Sequence, residues 1–173
     1  LNENGNSFAA YNAVYDNLAK LTDVSGKLYD ALGVKIRSLK KKDIKDVAYD
    51  DNLSLVTDAR LKHHDFYSRS YPYTVEYEEE WAYKGIYEFP EWYPVTRTNC
   101  ALQKSLFVVE MPMNYQLRYK LLNGAKVPTV TSTEKTKTLQ WETHNIAAIE
   151  YEPFQPAVTT LFPAVLVGPT DFE

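Results

Sequence analysis

Cys100, the run His63-His64-Asp65 and the row Glu76, Glu78, Glu80 are the residues whose types could do chemistry in this sequence. A cysteine nucleophile needs a base beside it and an electropositive setting that favours thiolate. The three histidines, His63, His64 and His144, are the available bases. Cys100 follows Thr98-Asn99 and precedes a strand, with no cysteine-protease pattern around it, so it reads as a structural or incidental thiol. Neighbouring strand residues point to opposite faces, so His63 and His64 do not easily reach one metal, although one of them shares a face with Asp65. A third ligand would have to be His144 or a glutamate, and no spacing indicates either. The His-Glu-x-x-His pattern of zinc peptidases is absent. The expectation is therefore no catalytic residue, no metal and no cofactor.

Glu76, Glu78 and Glu80 alternate along one strand. Paired carboxylates do glycosidase work when a groove sets their pKa values apart. Three in a row more often form a solvated outer face, crossed by cations of the next strand, and Arg118 and Lys120 suit that partnership. The segment Phe89-Pro90-Glu91-Trp92-Tyr93-Pro94 is an aromatic loop stiffened by two prolines. Exposed, Trp92 and Tyr93 would stack on sugar or peptide. The competing expectation is that Trp92 plugs the end of a sandwich, its burial worth roughly 2–3 kcal/mol. Trp92 and Tyr93, with the three glutamates, make up the candidate binding surface. No Gly-rich phosphate loop and no Gly-x-Ser-x-Gly elbow occurs.

The elements that must position these residues read as strands. From Tyr71 to Tyr83, the odd positions carry the apolar Tyr73, Val75, Tyr77, Trp81 and Tyr83, and the even positions carry Thr74, Glu76, Glu78 and Glu80. Period two predicts a long antiparallel strand with one buried face. Glu79 interrupts the aromatic side and predicts a bulge or the rim of the core. Leu61 to Tyr67 is expected to pair with this strand. Leu28-Tyr29 and Val34 to Arg37 flank Asp30-Ala31-Leu32-Gly33 and predict a hairpin. Phe8 to Tyr15 is a first apolar segment. Lys42 to Val47 suggests a helical turn capped by Asp43, and Asp50-Asp51-Asn52 a loop. Leu106 to Val109 is continuously apolar, which predicts burial on both faces. Leu117, Tyr119 and Leu121 alternate with polar residues, as does Leu139-Gln140-Trp141-Glu142. Asn123-Gly124 is the strongest short hairpin signal. Residues 153–173 are Pro-rich and read as an extended tail over the domain, with a last strand at Ala164 to Val167.

The chain has 173 residues, enough for one domain that needs no staples. Its 14 Tyr, 7 Phe and 3 Trp fit half-buried sheets. Many short strands at regular spacing, with no long amphipathic helix, predict an all-β, large antiparallel β-sandwich over residues 1–173. A net charge of −4 and a pI near 5.5 argue against a nucleic-acid partner. The basic run from Arg37 to Lys45 reads as a solvated loop. One cysteine makes no internal disulfide, and no stretch is apolar enough to predict a transmembrane segment. The chain starts at Leu1 rather than Met, and so reads as an excised or processed piece.

The run Thr57-Asp58-Ala59-Arg60-Leu61-Lys62, then Tyr71 to Glu78, then Phe89 to Pro94, Lys104-Ser105, Met111-Pro112 and Leu117-Arg118-Tyr119-Lys120, follows a familiar order. Over about Tyr11 to Phe172 it resembles a family of bacterial domains of unknown function found N-terminal to transglutaminase-like domains in envelope proteins. The resemblance implies a sandwich similar to the N-terminal domain of zinc aminopeptidases of the leukotriene A hydrolase type. It implies an exported protein of the periplasm or cell envelope. The tail would lead to a transglutaminase-like domain, with its Cys-His-Asp triad, after Glu173. Cys100 does not correspond to that cysteine, so no catalytic residue carries over. The implied function is a non-catalytic module of a larger transglutaminase-like or peptidase-like protein. It would scaffold the adjacent domain or present peptide or protein substrate to it. The alternative is a glycan-binding sandwich that uses the aromatic loop.

Overall fold

The computed structural model describes residues 1–49, 58–85 and 89–170. The described residues form eleven strands, every pairing antiparallel. They divide into two compact units, Leu1–Gly85 and Ile86–Glu173. The all-β antiparallel class expected from the alternation therefore holds.

In the first unit a 3-10 segment, Glu3–Ala9, leads into β1 (Ala10–Tyr15), β2 (Ala19–Tyr29) and β3 (Lys35–Ser38). Then come β4 (Lys45–Ala48), β5 (Arg60–Asp65) and β6 (Thr74–Tyr83). The sheets are ordered β1-β5-β4 and β3-β2-β6. The β2–β3 hairpin forms as predicted. Asp30 accepts the N–H groups of Leu32 and Val34, each at 2.9 Å, and Gly33 supplies the left-handed residue at φ 78°. The turn before β4 is a 3-10 segment, Lys41–Asp43, capped by Lys40 rather than by Asp43. The loop expected at Asp50-Asp51-Asn52 lies outside the described residues.

β6 alternates as read up to Trp81: Tyr73 is buried, Val75, Tyr77 and Trp81 are half-buried, and Glu76, Glu78 and Glu80 are exposed, but Tyr83 at the strand's end is exposed as well. Its partner is β2, not β5. Phe66, just past β5, packs beside Leu28 of β2 and against the Tyr77 ring, so β5 and β6 meet across a core instead of edge to edge. Gly26, opposite Tyr77, makes this close approach feasible, because a Cβ there would lie 2.9 Å from Tyr77 Cδ1. The bulge sits on β2, where the register shifts between Leu21 and Asp23 opposite Trp81 and Glu80. β6 itself keeps its period, and Glu79 stands exposed at the rim, accepting the Tyr11 hydroxyl at 2.6 Å.

The second unit holds β7 (Leu102–Pro112), β8 (Leu117–Leu122), β9 (Thr129–Ser132), β10 (Thr136–Ile146) and β11 (Ala164–Pro169). Its sheets are β7-β10-β9 and β11-β8. Trp92, Met111, Leu139, Trp141 and Val165 form its core. Three expectations are corrected here. Leu106 and Val108 are each 48% exposed, because β7 packs one face on the core, through Phe107 and Val109, and turns the other outward. Asn123 (φ 53°) and Gly124 (φ 78°) do form a tight turn, closed by the Ala125 N–H on the Leu122 carbonyl at 3.0 Å. That turn does not join paired strands, since β8 pairs with β11 and β9 with β10. The Asn123 amide instead donates to the carbonyls of Thr159 and Phe162. Finally, the predicted last strand exists as β11, but it belongs to the core: Ala164 and Val165 are fully buried. Of the Pro-rich segment, Ala164–Pro169 is thus built into a sheet, while residues 153–163 form no strand and are exposed or half-buried.

Candidate functional site

In the first unit the residues of one predicted cluster come together. β5 sends His63 and Asp65 to one face and His64 and Phe66 to the other, as period two requires. His63 is tied on both ring nitrogens, Nδ1 to Asn12 Oδ1 at 2.8 Å and Nε2 to Asp65 Oδ2 at 2.9 Å. His64 is 8% exposed and sits edge-on to Phe66, ring centroids 4.5 Å apart. Its Nδ1 lies 3.0 Å from Tyr77 Oη, and Tyr77 Oη donates to the carbonyl of Ala9 at 2.9 Å.

These contacts fix the His64 tautomer. A carbonyl only accepts, so the single Tyr77 proton goes to Ala9. Tyr77 must then accept from His64, which places the imidazole proton on Nδ1 and leaves Nε2 a lone pair. Burial, reinforced by the positive charge of Arg37, holds the His64 pKa below its ordinary value, so the ring stays neutral. Burial likewise pushes the Tyr77 hydroxyl up to about 12. Tyr11, buried and bonded to the Glu79 carboxylate, is raised as well. Among the described residues, Trp141 Nε1 is the one side-chain polar atom sealed from solvent without a partner. The unbonded Nε2 of His64 is therefore reachable from outside. His64 lines a cavity of about 350 Å³ together with Arg37, Asp43, Lys45, His63 and Asp65. The opening falls where β4 begins, Lys45 opposite His63, so that His64 and Asp65 run past the end of the neighbouring strand.

The other candidates are placed as follows. Glu76, Glu78 and Glu80 form an exposed face on an edge strand. Glu76 takes the Lys27 ammonium at 2.6 Å and the Tyr29 hydroxyl at 3.2 Å, which hold its carboxyl below the usual range. The strand beside β6 is β2, so Lys27 is the cation of the neighbouring strand. Arg118 and Lys120 lie on β8, and Arg118 Nε donates to the Pro169 carbonyl. Trp92 is 8% exposed; its backbone pairs with Val165, and its Nε1 donates to Ser105 Oγ at 2.9 Å. Its ring is not a platform for a sugar, because the bridge to β11 carries it into the core. Tyr93 beside it is half-buried. Cys100 is exposed, its Sγ 3.8 Å from the Ala101 carbonyl. His144 joins Glu142 and Lys104 at the surface, with Glu142 3.3 Å from His144 Nδ1 and 2.9 Å from Lys104 Nζ. Glu142 and His144 line a second cavity of about 440 Å³, together with Trp92 and Trp141 among others. No three His, Cys, Asp or Glu among the described residues are grouped to hold a metal. Among them, too, no helix is long and apolar enough to cross a membrane.

Sequence reasoning found His63, His64 and Asp65 but missed Arg37, Asp43 and Lys45, which converge from a different hairpin and turn. The alternation His64-x-Phe66 was the available signal that His64 faces a core. Phe154 was also missed. It occupies the third position of the turn Glu152–Gln155, after Pro153, at φ 66° and with its ring fully exposed.

The sequence profile of one family, described as a Domain of Unknown Function with solved-structure structure (DUF3857), matches residues 1–150. The chain belongs to that family. No curated protein matches it. Among solved structures it is similar to a crystal structure from Parabacteroides distasonis ATCC 8503 described as a "putative protease". The TM-score is 0.76 at 15% identity, over 94% of this chain and 33% of that one. The chain thus spans about a third of the length of the protein it resembles.

Proposed function

We propose that this DUF3857 member is a non-catalytic all-β module of a larger exported protein of transglutaminase-like or protease-like activity. It scaffolds the adjacent domain or presents peptide or protein substrate to it, in the periplasm or cell envelope. In this reading its sheets play the part of the N-terminal domain in aminopeptidases of the leukotriene A hydrolase type. Two findings support it. The match covers only 33% of the structural relative, which leaves room there for further domains. Phe154 carries the reading within the chain itself. A left-handed backbone costs a residue with a Cβ about 1–2 kcal/mol, and this turn position ordinarily takes Gly or Asn. A bulky ring held there in full solvent, with the Glu152 N–H locked onto Gln155 Oε1 at 3.1 Å, is built as a contact for another protein surface.

The test compares Phe154→Gly in the isolated chain and in the full-length protein. The isolated chain is expected to lose no stability, while the full-length protein loses activity or the cooperativity of its melting. Unchanged behaviour of the full-length variant would count against the docking role. Peptidase or transglutaminase activity in the isolated chain that vanishes in Cys100→Ala would overturn the non-catalytic reading altogether.

A further inference from the structure

We propose that the His64 cavity binds a small zwitterion bearing one ammonium and one carboxylate group, the chemistry of a free amino acid or of a short unblocked peptide. This inference stands apart from the module reading and survives its failure. Four groups around the cavity set the requirement. Arg37 and Lys45 bring two positive charges, and Asp43 and Asp65 two negative ones. Asp65 is shared with His63, but Arg37, Lys45 and Asp43 form none of the ion pairs found among the described residues. Opposite charges that border one cavity without neutralising each other are arranged for a ligand that carries both signs.

His64 sharpens the choice. Its Nε2 is a lone pair on a ring nine-tenths buried, pinned by the chain from Ala9 through Tyr77. An acceptor in that position takes an N–H or O–H donor and rejects a bare carboxylate. The ammonium group supplies that donor, with Asp43 and Asp65 to offset its charge, and Arg37 and Lys45 offset the carboxylate. A metal does not fit, for no three-ligand group exists here. A plain anion would face two carboxylates, and a plain cation would face Arg37 and Lys45. The volume, about 350 Å³, has room for about ten waters and hence for a residue or two of peptide.

The experiment follows the His64 ring nitrogens by long-range proton–nitrogen spectra of the labelled protein during titration. Four probes are used: L-alanine, L-alanyl-L-alanine, N-acetyl-L-alanine and L-alanine methyl ester. Alanine or the dipeptide is expected to shift the Nε2 resonance saturably, and each blocked probe to bind at least ~10-fold more weakly, the equivalent of one lost charge contact. A response to alanine alone assigns the source as a free amino acid, and one to the dipeptide alone as a peptide. Arg37→Gln and Asp43→Asn, both at exposed positions, are each expected to weaken the effective probe ~10-fold with an unchanged melting curve. The proposal is overturned by the absence of a saturable shift from either zwitterion up to about 50 mM. It is equally overturned by a blocked probe that binds as well as its unblocked parent.

Discussion

Each unit has two small sheets and an aromatic centre, three strands and three in the first, three and two in the second, but they treat buried polar atoms differently. Among the described residues of the first unit, each buried polar side chain is wired. His64 leads to Tyr77 and on to Ala9, the Tyr73 hydroxyl meets Asn6 Oδ1 at 2.6 Å, and Tyr11 reaches Glu79. In the second unit Trp92 is bonded to Ser105, yet Trp141 buries its Nε1 with no partner. Trp141 is held instead by rings: Phe107 stacks at 5.6 Å and Tyr119 meets it edge-on at 5.3 Å. The contrast teaches where chemistry can reside. A wired interior fixes a tautomer and leaves a defined lone pair at a cavity; an interior held by packing alone fixes shape.

The comparison can be broken most forcefully at Trp141. Trp141→Ala is expected to cost about 3–5 kcal/mol, because it opens a cavity among rings that have no polar network to fall back on. Hydrogen exchange should show lost protection in β7, β10 and β11, with β2 and β6 retained. Equal loss in both sets would mean that the cores are not separate. The next largest effect falls on the wired unit. Gly26→Ala drives a methyl against Tyr77 Cδ1 at 2.9 Å and Phe66 Cε2 at 3.0 Å, at an expected cost of about 1–3 kcal/mol in urea denaturation. A neutral result there would show that the Tyr77 hub is looser than its contacts suggest.

The smallest effect is the most diagnostic of wiring, and it is a pH dependence. His64 faces Arg37 and His63, which disfavour its protonated form, and Asp43 and Asp65, which favour it. Burial decides the balance and lowers its pKa from 6.5. Below 6.5 the unfolded chain therefore binds the proton more readily than the fold does. Stability falls as pH drops from 6.5 towards the lowered value, and above 6.5 this residue contributes no slope. His64→Gln should flatten that part of the stability–pH curve. An unchanged slope would assign it to other groups.

Much of this architecture is legible in the sequence because it is local. The alternation of β6, the Asp30–Gly33 hairpin and the Leu139–Glu142 strand each follow from residues that touch their near neighbours. What was misread depends on distant pairing. Leu106 and Val108 are as apolar as a buried strand requires, and only the packing of β7 shows that it buries the Phe107 and Val109 face alone. Asn123-Gly124 encodes a turn but not the strands beside it. Trp92 is equally suited to a binding loop and to a plug, and the choice was made by Val165, far along the chain. At the candidate site, His64 carried a readable period. Arg37 and Asp43 carried none, for their meeting with it is set by how two sheets pack.

The tautomer of His64 bears the whole contrast between a wired and a packed interior. Long-range proton–nitrogen correlation of the imidazole, taken just above and just below 6.5, reads it directly. The account predicts a neutral ring at both values, protonated on Nδ1, with a bare Nε2. A proton on Nε2, or a ring that is cationic already above 6.5, would contradict it.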